Sequence, residues 1–401
     1  MAHAIKKDRI DWALFLVVVV ASQGLSAFLP GRATSTAIAV SSAIMALSVL
    51  PQLGRVLSVM LSNPLVVFLT AWSLAAGIVS QRPVLAVLFA GVLTLTIVFA
   101  SLRQGTQEGT LKTFALAAAV SLVPSIAGLV TPVVPVFRHA GSAGGYAGYF
   151  PWNSSAGLCA AAALLSLVLV YFQSGPSWWH IPAAAGAVLM LVLSKSATAA
   201  LALVAAVGAL GAQAALRRAS DRTKPLVFVI MGTIALSALP KGIELLSRKS
   251  VAEATGRTES FSSRTVIWQW ARQGISESPF WGYGTEFWRD FGAWNNSGHN
   301  GFIDIALAFG VPAALALCAI TVVAAVRLAL ASSILLSFLV FGVTANLAVS
   351  QLASPTIPSL ALWLAVGSTL HMGRTGEPDV DDQTSAAIDR PSPRAARVWQ
   401  R

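Results

Sequence analysis

Residues 301–326 read GFIDIALAFGVPAALALCAITVVAAV, with a single charged side chain, Asp304. A run this long and this apolar covers the roughly 30 Å hydrocarbon core of a bilayer as one helix. Similar runs recur outward from it, near 12–29, 34–51, 64–80, 83–101, 112–130, 154–172, 179–194, 197–215 and 225–240 on one side and 331–350 and 356–371 on the other. Twelve such segments predict an all-α polytopic membrane protein. Composition agrees: 56% of residues are hydrophobic and 11% charged, against about 25% charged in an average soluble domain. The first run, from Trp12, lacks a small-residue cleavage site and reads as a first span rather than a removable signal peptide.

An even number of spans puts both termini on one side. Lys6, Lys7 and Arg9 precede the first span, and the alternation groups Arg55, Arg103, Lys112, Arg217, Arg218, Arg222, Lys224 and Arg327 with them. The opposite short loops hold only Arg32, Arg82, Arg138 and Lys195. Basic residues in short loops mark the cytoplasmic side, so both termini are expected there. The chain then divides into a nine-span region over 1–240, an external loop over 241–300, three spans over 301–371, and a tail over 372–401. The tail is polar and Pro-containing without apolar periodicity, the composition of a disordered cytoplasmic segment. The net charge of +11 sits mainly in loops and accompanies no aromatic-basic module, so nucleic acid is not an expected partner. Cys159 and Cys318 fall inside spans, where each reads as a small buried apolar group rather than half of a disulfide.

Polar chemistry gathers in the external loop. From Ser263 a helical pattern resumes, with Val266, Trp270, Ile275 and Phe280 apolar and Arg264, Trp268 and Arg272 aligned four apart. Pro279 and the Gly282-Tyr283-Gly284 run end it. Trp281, Tyr283, Phe287, Trp288 and Trp294 follow as an aromatic group, read either as an interfacial belt or as a stacking platform for sugar rings or an isoprenoid chain. His299 and Asn300 then open the tenth span. Asn300 suits a helix cap. His299 adds a group titrating near neutrality, suited to taking a proton from a hydroxyl, and the arginines on the preceding helix suit phosphate oxygens.

These residues resemble the O-antigen ligase and exopolysaccharide-polymerase superfamily of bacterial envelope glycosyltransferases. Its pattern is an Arg four residues before a Trp, a later Pro followed by Gly-x-Gly, then His-Asn opening a helix that contains a Gly. Here these are Arg264 and Trp268, Pro279, Gly282 and Gly284, His299 and Asn300, and Gly310. Asp304 fits the exopolysaccharide branch. Two weaker matches are LVLSKSATAALAL from Leu191, where Ala197 occupies the usual basic position and Lys195, two residues earlier, substitutes for it, and PWNSSAG from Pro151, which retains Asn153 while Trp152 replaces Lys. Ala308 stands where many members have Glu, so that residue's role does not carry over. Lys195 also reads as a snorkelling side chain.

The resemblance implies a many-helix fold of the C-type glycosyltransferase kind in the bacterial inner membrane. The implied donor is a polyprenyl-diphosphate-linked saccharide on the outer face, transferred to an acceptor sugar hydroxyl without nucleotide, metal or other cofactor. Envelope polysaccharide export proteins are further partners. On this reading Arg264 and His299 are catalytic, and Lys195, Arg272, Trp268, Asn300, Gly282, Gly284 and Asn153 bind substrate. The residues themselves are consistent with it. A diphosphate leaving group needs fixed cations or a divalent metal, and the chain has Arg264, Arg272 and Lys195 but no Asp-x-Asp or metal-spaced cluster before its polar tail, where Asp379-Val380-Asp381 stands on the expected cytoplasmic side. Glu286 and Asp290 are alternative bases. A polymerase acting on lipid-linked repeats and a ligase acting on a lipid or wall acceptor share these residues. A twelve-span transporter and a structural scaffold in an export complex are the competing classes.

Overall fold

The computed structural model describes residues 10–25, 28, 33–80, 83–103, 107–131, 137–138, 145–216, 223, 264–284, 300–347, 352 and 355–370. They form helices α1 (Trp12–Ala21), α2 (Ala33–Val49), α3 (Leu53–Leu61), α4 (Pro64–Val79), α5 (Pro83–Leu102), α6 (Gln107–Ala127), α7 (Asn153–Ser174), α8 (His180–Ser194), α9 (Ala197–Leu216), α10 (Arg264–Glu277), α11 (Gly301–Leu330), α12 (Leu335–Asn346) and α13 (Ile357–Leu370). Five helical segments are long and apolar enough to cross a bilayer, and six shorter apolar helices accompany them. These eleven coincide with eleven of the twelve expected spans; the ninth, at 225–240, lies outside the described residues. The protein is a polytopic, all-α membrane protein.

Local chemistry sets the helix ends. Asp11 Oδ1 accepts from Leu14 N–H at the start of α1, the N-cap bond that satisfies an orphan donor. Pro64 and Pro83 open α4 and α5, where the missing N–H costs nothing. Pro51 breaks the second span, so the apolar segment Ser35–Leu61 turns through a short 3₁₀ stretch and continues as α3 instead of stopping near residue 51. Gly175 (φ 78°) ends α7 and Lys195 (φ 49°) ends α8.

The centre of the bundle is α7 and α13. Of α7's apolar window 72% is buried, against 17% for Ser35–Leu61 at the periphery. Residues 156–163 of α7, mostly alanine, are all buried, and small residues let membrane helices approach closely. A Cβ on Gly157 would lie 2.6 Å from Ser196 Cβ, so α7 touches the α8–α9 turn directly. In α13, residues 357–367 are buried without a break, as a helix apolar on all sides requires.

Two details depart from the sequence reading. Cys159 is buried as expected, but Cys318 is exposed on the outer surface of the bundle, where an apolar environment is equally served by lipid. A two-stranded antiparallel pairing of β1 (Phe137–Arg138) with β2 (Tyr146–Gly148) interrupts the all-helical pattern. Its second strand folds onto the end of α6, with Tyr146 Oη donating to Ser125 O (2.8 Å) and Tyr149 N–H to Ser125 Oγ (2.9 Å).

Candidate active site

Helix α10 is amphipathic and rides on the first turns of α11. Ile267 and Ala271 are buried against Leu307, flanked by Trp268, Ile275, Tyr283 and Ile303. The packed stripe is therefore 267–271–275; of the residues noted as apolar in the sequence, Ile275 joins it, and the Val266 side chain lies outside the described residues. Trp270 and Phe280 are exposed, because the narrow seam facing α11 takes only side chains small or slim enough to let the two helices meet. Trp268 stands at the seam's edge, and Arg272 one turn further on is exposed. Arg264 is the first residue of α10; its side chain, and all of His299, lie outside the described residues.

Helix α11 is broken. Gly310 has φ 83° and ψ 169° and Pro312 follows it. Pro312 has no N–H to return to Ala308 O, and the turn at Gly310 withdraws further donors. In a bilayer such groups must find partners within the protein, and here they do. Leu307 O accepts from Tyr283 N–H (2.7 Å) and Ala308 O from Gly284 N–H (3.1 Å). Phe309 O accepts from the indole N–H of Trp72 (3.1 Å), and Val311 N–H donates to Pro279 O (2.7 Å). The Pro279–Gly284 turn is thus hydrogen-bonded along the break. Gly282 and Gly284 have φ of 70° and 76°, values open chiefly to glycine. A Cβ on Gly310 would stand 1.9 Å from Phe280 O. The Gly-x-Gly run and the distant helical glycine are two halves of one backbone junction.

Residues 311–330 of α11 alone supply about 30 Å of helix at 1.5 Å per residue, enough to cross the hydrocarbon core. The junction lies at the N-terminal end of that length, bonded to Trp72 in the middle of α4, and residues 301–309 precede it with α10 alongside. Asn300 caps this first segment, its Oδ1 accepting from Phe302 N–H (3.1 Å) and Ile303 N–H (3.2 Å).

The two weaker sequence elements also meet. Asn153 Nδ2 donates to Ser194 O (3.1 Å), which fixes the start of α7 to the turn carrying Lys195. Lys195 is exposed and left-handed there. Asn153's amide is committed to this backbone contact. The turn lies at the same end of the bundle as Asn300: Ser155 faces Asn346 and Thr356 across a small recess, and Leu352, in the same connection, packs against Gly301.

Sequence reasoning missed Trp72, in the middle of α4. It stacks on Trp281, and its indole N–H reaches both Phe280 O (3.3 Å) and Phe309 O. The available signal was an indole donor inside an apolar span, which requires an acceptor on another element. Below α10, Tyr283 Oη donates to Glu277 (2.6 Å) and Gln273 Nε2 to its other oxygen (2.9 Å). The tyrosine first and the glutamine second hold the Glu277 carboxyl below its ordinary range, and the same bond pushes the Tyr283 hydroxyl up. No group of three His, Cys, Asp or Glu side chains at metal-binding proximity occurs among the described residues.

The described residues thus form a polytopic helical bundle with an amphipathic helix, carrying the exposed Arg272, docked beside a capped helix start. The family model described as O-antigen ligase matches residues 182–318, from α8 through Lys195, α10 and the glycine junction into α11. Over that stretch, about a third of the 401 residues, the chain is similar to the O-antigen ligase family, whose members transfer glycans in general. No curated protein matches the chain.

Proposed function

We propose that the protein polymerises exopolysaccharide or O-antigen-like repeats on the outer face of the bacterial inner membrane, with both termini cytoplasmic. The donor is a polyprenyl-diphosphate-linked glycan. The acceptor hydroxyl oxygen attacks the anomeric carbon, the bond from that carbon to the diphosphate oxygen breaks, and the hydroxyl proton passes to His299. Arg264, aided by Lys195 and Arg272, neutralises the departing polyprenyl diphosphate without a metal. Trp268, Asn300, Gly282, Gly284 and Asn153 shape the substrate site, the last three through the backbone contacts they fix.

The observation that carries this reading is the docking of α10 and the Pro279–Gly284 turn on α11. It ties the helix that begins at Arg264 to the helix start that follows His299. Charge stabilisation at a leaving group works when cations are held in place beforehand, and two elements joined by backbone bonds are held in that way.

A ligase reading is favoured by the description of the matching family model, whereas the His-Asn-Gly-Phe-x-Asp form at 299–304 favours the polymerase. The transporter reading draws on the broken helix, a feature that transporters use to bind ions. Here the carbonyls at 307, 308 and 309 already accept from Tyr283, Gly284 and Trp72, which favours a structural junction over an ion site.

The test is glycan transfer by His299→Ala and Arg264→Ala proteins expressed at wild-type levels, with lipid-linked glycans sized in cells lacking the protein. Loss of transfer in both variants and build-up of single lipid-linked repeats are expected. Build-up of long lipid-linked chains would convert the assignment to ligase, and retained transfer by His299→Ala would remove it as the base.

A further inference from the structure

At the end of the bundle opposite Asn300 lies a cavity of about 480 Å³, within the range of small-molecule sites. It is formed where the ends of α5, α6, α7, α11, α12 and α13 converge. Its floor is apolar, with Phe114, Phe338 and Leu364, and its upper wall is polar, with Gln107, Thr110 and Ser333. Arg103 is the one charged side chain lining it among the described residues.

The polar wall is built rather than incidental. Gln107 Nε2 donates to Ser333 Oγ (2.7 Å), and Gln213 Nε2 donates to the Ser333 carbonyl, so two helices pin the α11–α12 connection in place. Arg103 donates from Nη2 to Ser48 O (3.1 Å), and its Nη1 stands 3.6 Å from the Asp11 carboxylate. Its Nε is buried without an acceptor among the described residues. Asp11 does not line the cavity, and no carboxylate does among the described residues. The lining therefore offers an arginine whose charge is partly offset by Asp11 from outside the cavity, hydroxyl and amide donors, and an apolar floor. At the mouth, Phe172 is 68% exposed on the side of the bundle, where an acyl chain would lie.

We propose that this cavity binds one anionic membrane lipid, its phosphate held by Arg103 and the Thr110 and Gln107 side chains, and its chains passing out beside Phe172. Basic pockets between membrane helices recognise anionic head groups in this manner. The topology read from the basic loops assigns this end to the cytoplasmic leaflet. The site is separate from the transfer chemistry, which belongs to the other end.

The experiment is native mass spectrometry of the full chain, released from detergent, with palmitoyl-oleoyl phosphatidylglycerol or phosphatidylcholine added, alongside melting curves with each lipid and with inorganic phosphate. Wild type is expected to retain one phosphatidylglycerol in preference to phosphatidylcholine and to melt higher with it. Arg103→Gln should reduce that preference about fivefold, the effect of roughly 1 kcal/mol from one basic residue. Because Arg103 also holds Asp11 and Ser48, a second variant, Ser368→Phe, fills the cavity without touching the arginine and should abolish the adduct. Equal retention of the two lipids, an adduct unchanged in both variants, or a melting rise with inorganic phosphate equal to that with lipid would each overturn the proposal.

Discussion

Trp72 of α4 lies parallel to Trp281, with ring centroids 4.8 Å apart and planes 3° from coplanar alignment. The same indole donates to Phe309 O and Phe280 O, so one side chain grips both the break in α11 and the turn docked along it. Trp72→Phe keeps a ring for the stack but removes the donor, and should cost about 1–2 kcal/mol by leaving a carbonyl unsatisfied. Trp72→Ala should cost about 3 kcal/mol or more, since stack and volume go as well. Melting temperatures in detergent check both. A Trp72→Phe protein as stable as wild type would show that water or lipid headgroups replace the indole.

Asn300 separates capping from substrate binding. Asn300→Ala should lose about 1 kcal/mol, because Phe302 N–H and Ile303 N–H lose their acceptor. Asn300→Ser restores an N-cap oxygen and should restore the melting temperature. Glycan transfer should stay low in Asn300→Ser if the amide also contacts substrate. Full recovery of transfer would confine Asn300 to capping.

Eleven of the twelve expected spans coincide with apolar helices, five of them long enough to cross a bilayer, because apolarity over a long run is read directly from the sequence. Lys195, Asn153 and the glycines were legible as motif positions, but their physical roles were not. Gly282 and Gly310 are 28 positions apart in the chain, and nothing in local periodicity says that one turn satisfies the carbonyls freed by the other. Trp72 was invisible for the same reason, as its partners lie 208 and 237 residues away. The apolar pattern of α10 did not say which of its residues would pack. Packing against α11 instead selected Ile267 and Ala271, leaving the large rings at the surface.

The Tyr283–Glu277 bond should make the α10–turn unit sensitive to pH on both sides. The Glu277 carboxyl is held below its ordinary value, so its contribution is present above that value and is lost as pH falls through the lowered one. The Tyr283 hydroxyl is pushed up, so its contribution is present below the usual tyrosine range and is lost as pH rises through the raised value. Tyr283→Phe preserves the ring's packing against Ile267 and Leu307 while removing the bond. Its melting temperature should be slightly lower than wild type near neutrality, modest because the pair is at the surface. The two proteins should converge in acid below the carboxylate range. A gap that persists there would assign the difference to packing.

Gly310 is the residue on which the junction depends most directly. Its φ of 83° with ψ of 169° falls in a region open essentially to glycine alone. Alanine there meets two costs at once. Backbone strain contributes about 1–3 kcal/mol, and the new Cβ would sit 1.9 Å from Phe280 O, a contact relieved only by moving the turn. Moving the turn breaks the bonds from Tyr283 and Gly284 to the carbonyls of 307 and 308, and the bond from Trp72 to Phe280 O. Gly310→Ala should therefore insert into the membrane yet lose several kcal/mol of stability, by the sum of these terms, together with most glycan transfer. The controls are Gly208→Ala and Gly211→Ala on α9, where an added Cβ meets nothing within 4 Å. Those should be neutral or up to about 1 kcal/mol more stable, as Gly→Ala is in an unobstructed helix. Gly310→Ala behaving like these controls in melting and transfer assays would mean that the break in α11 is dispensable, and with it the account of how α10 is held beside the helix start at Asn300.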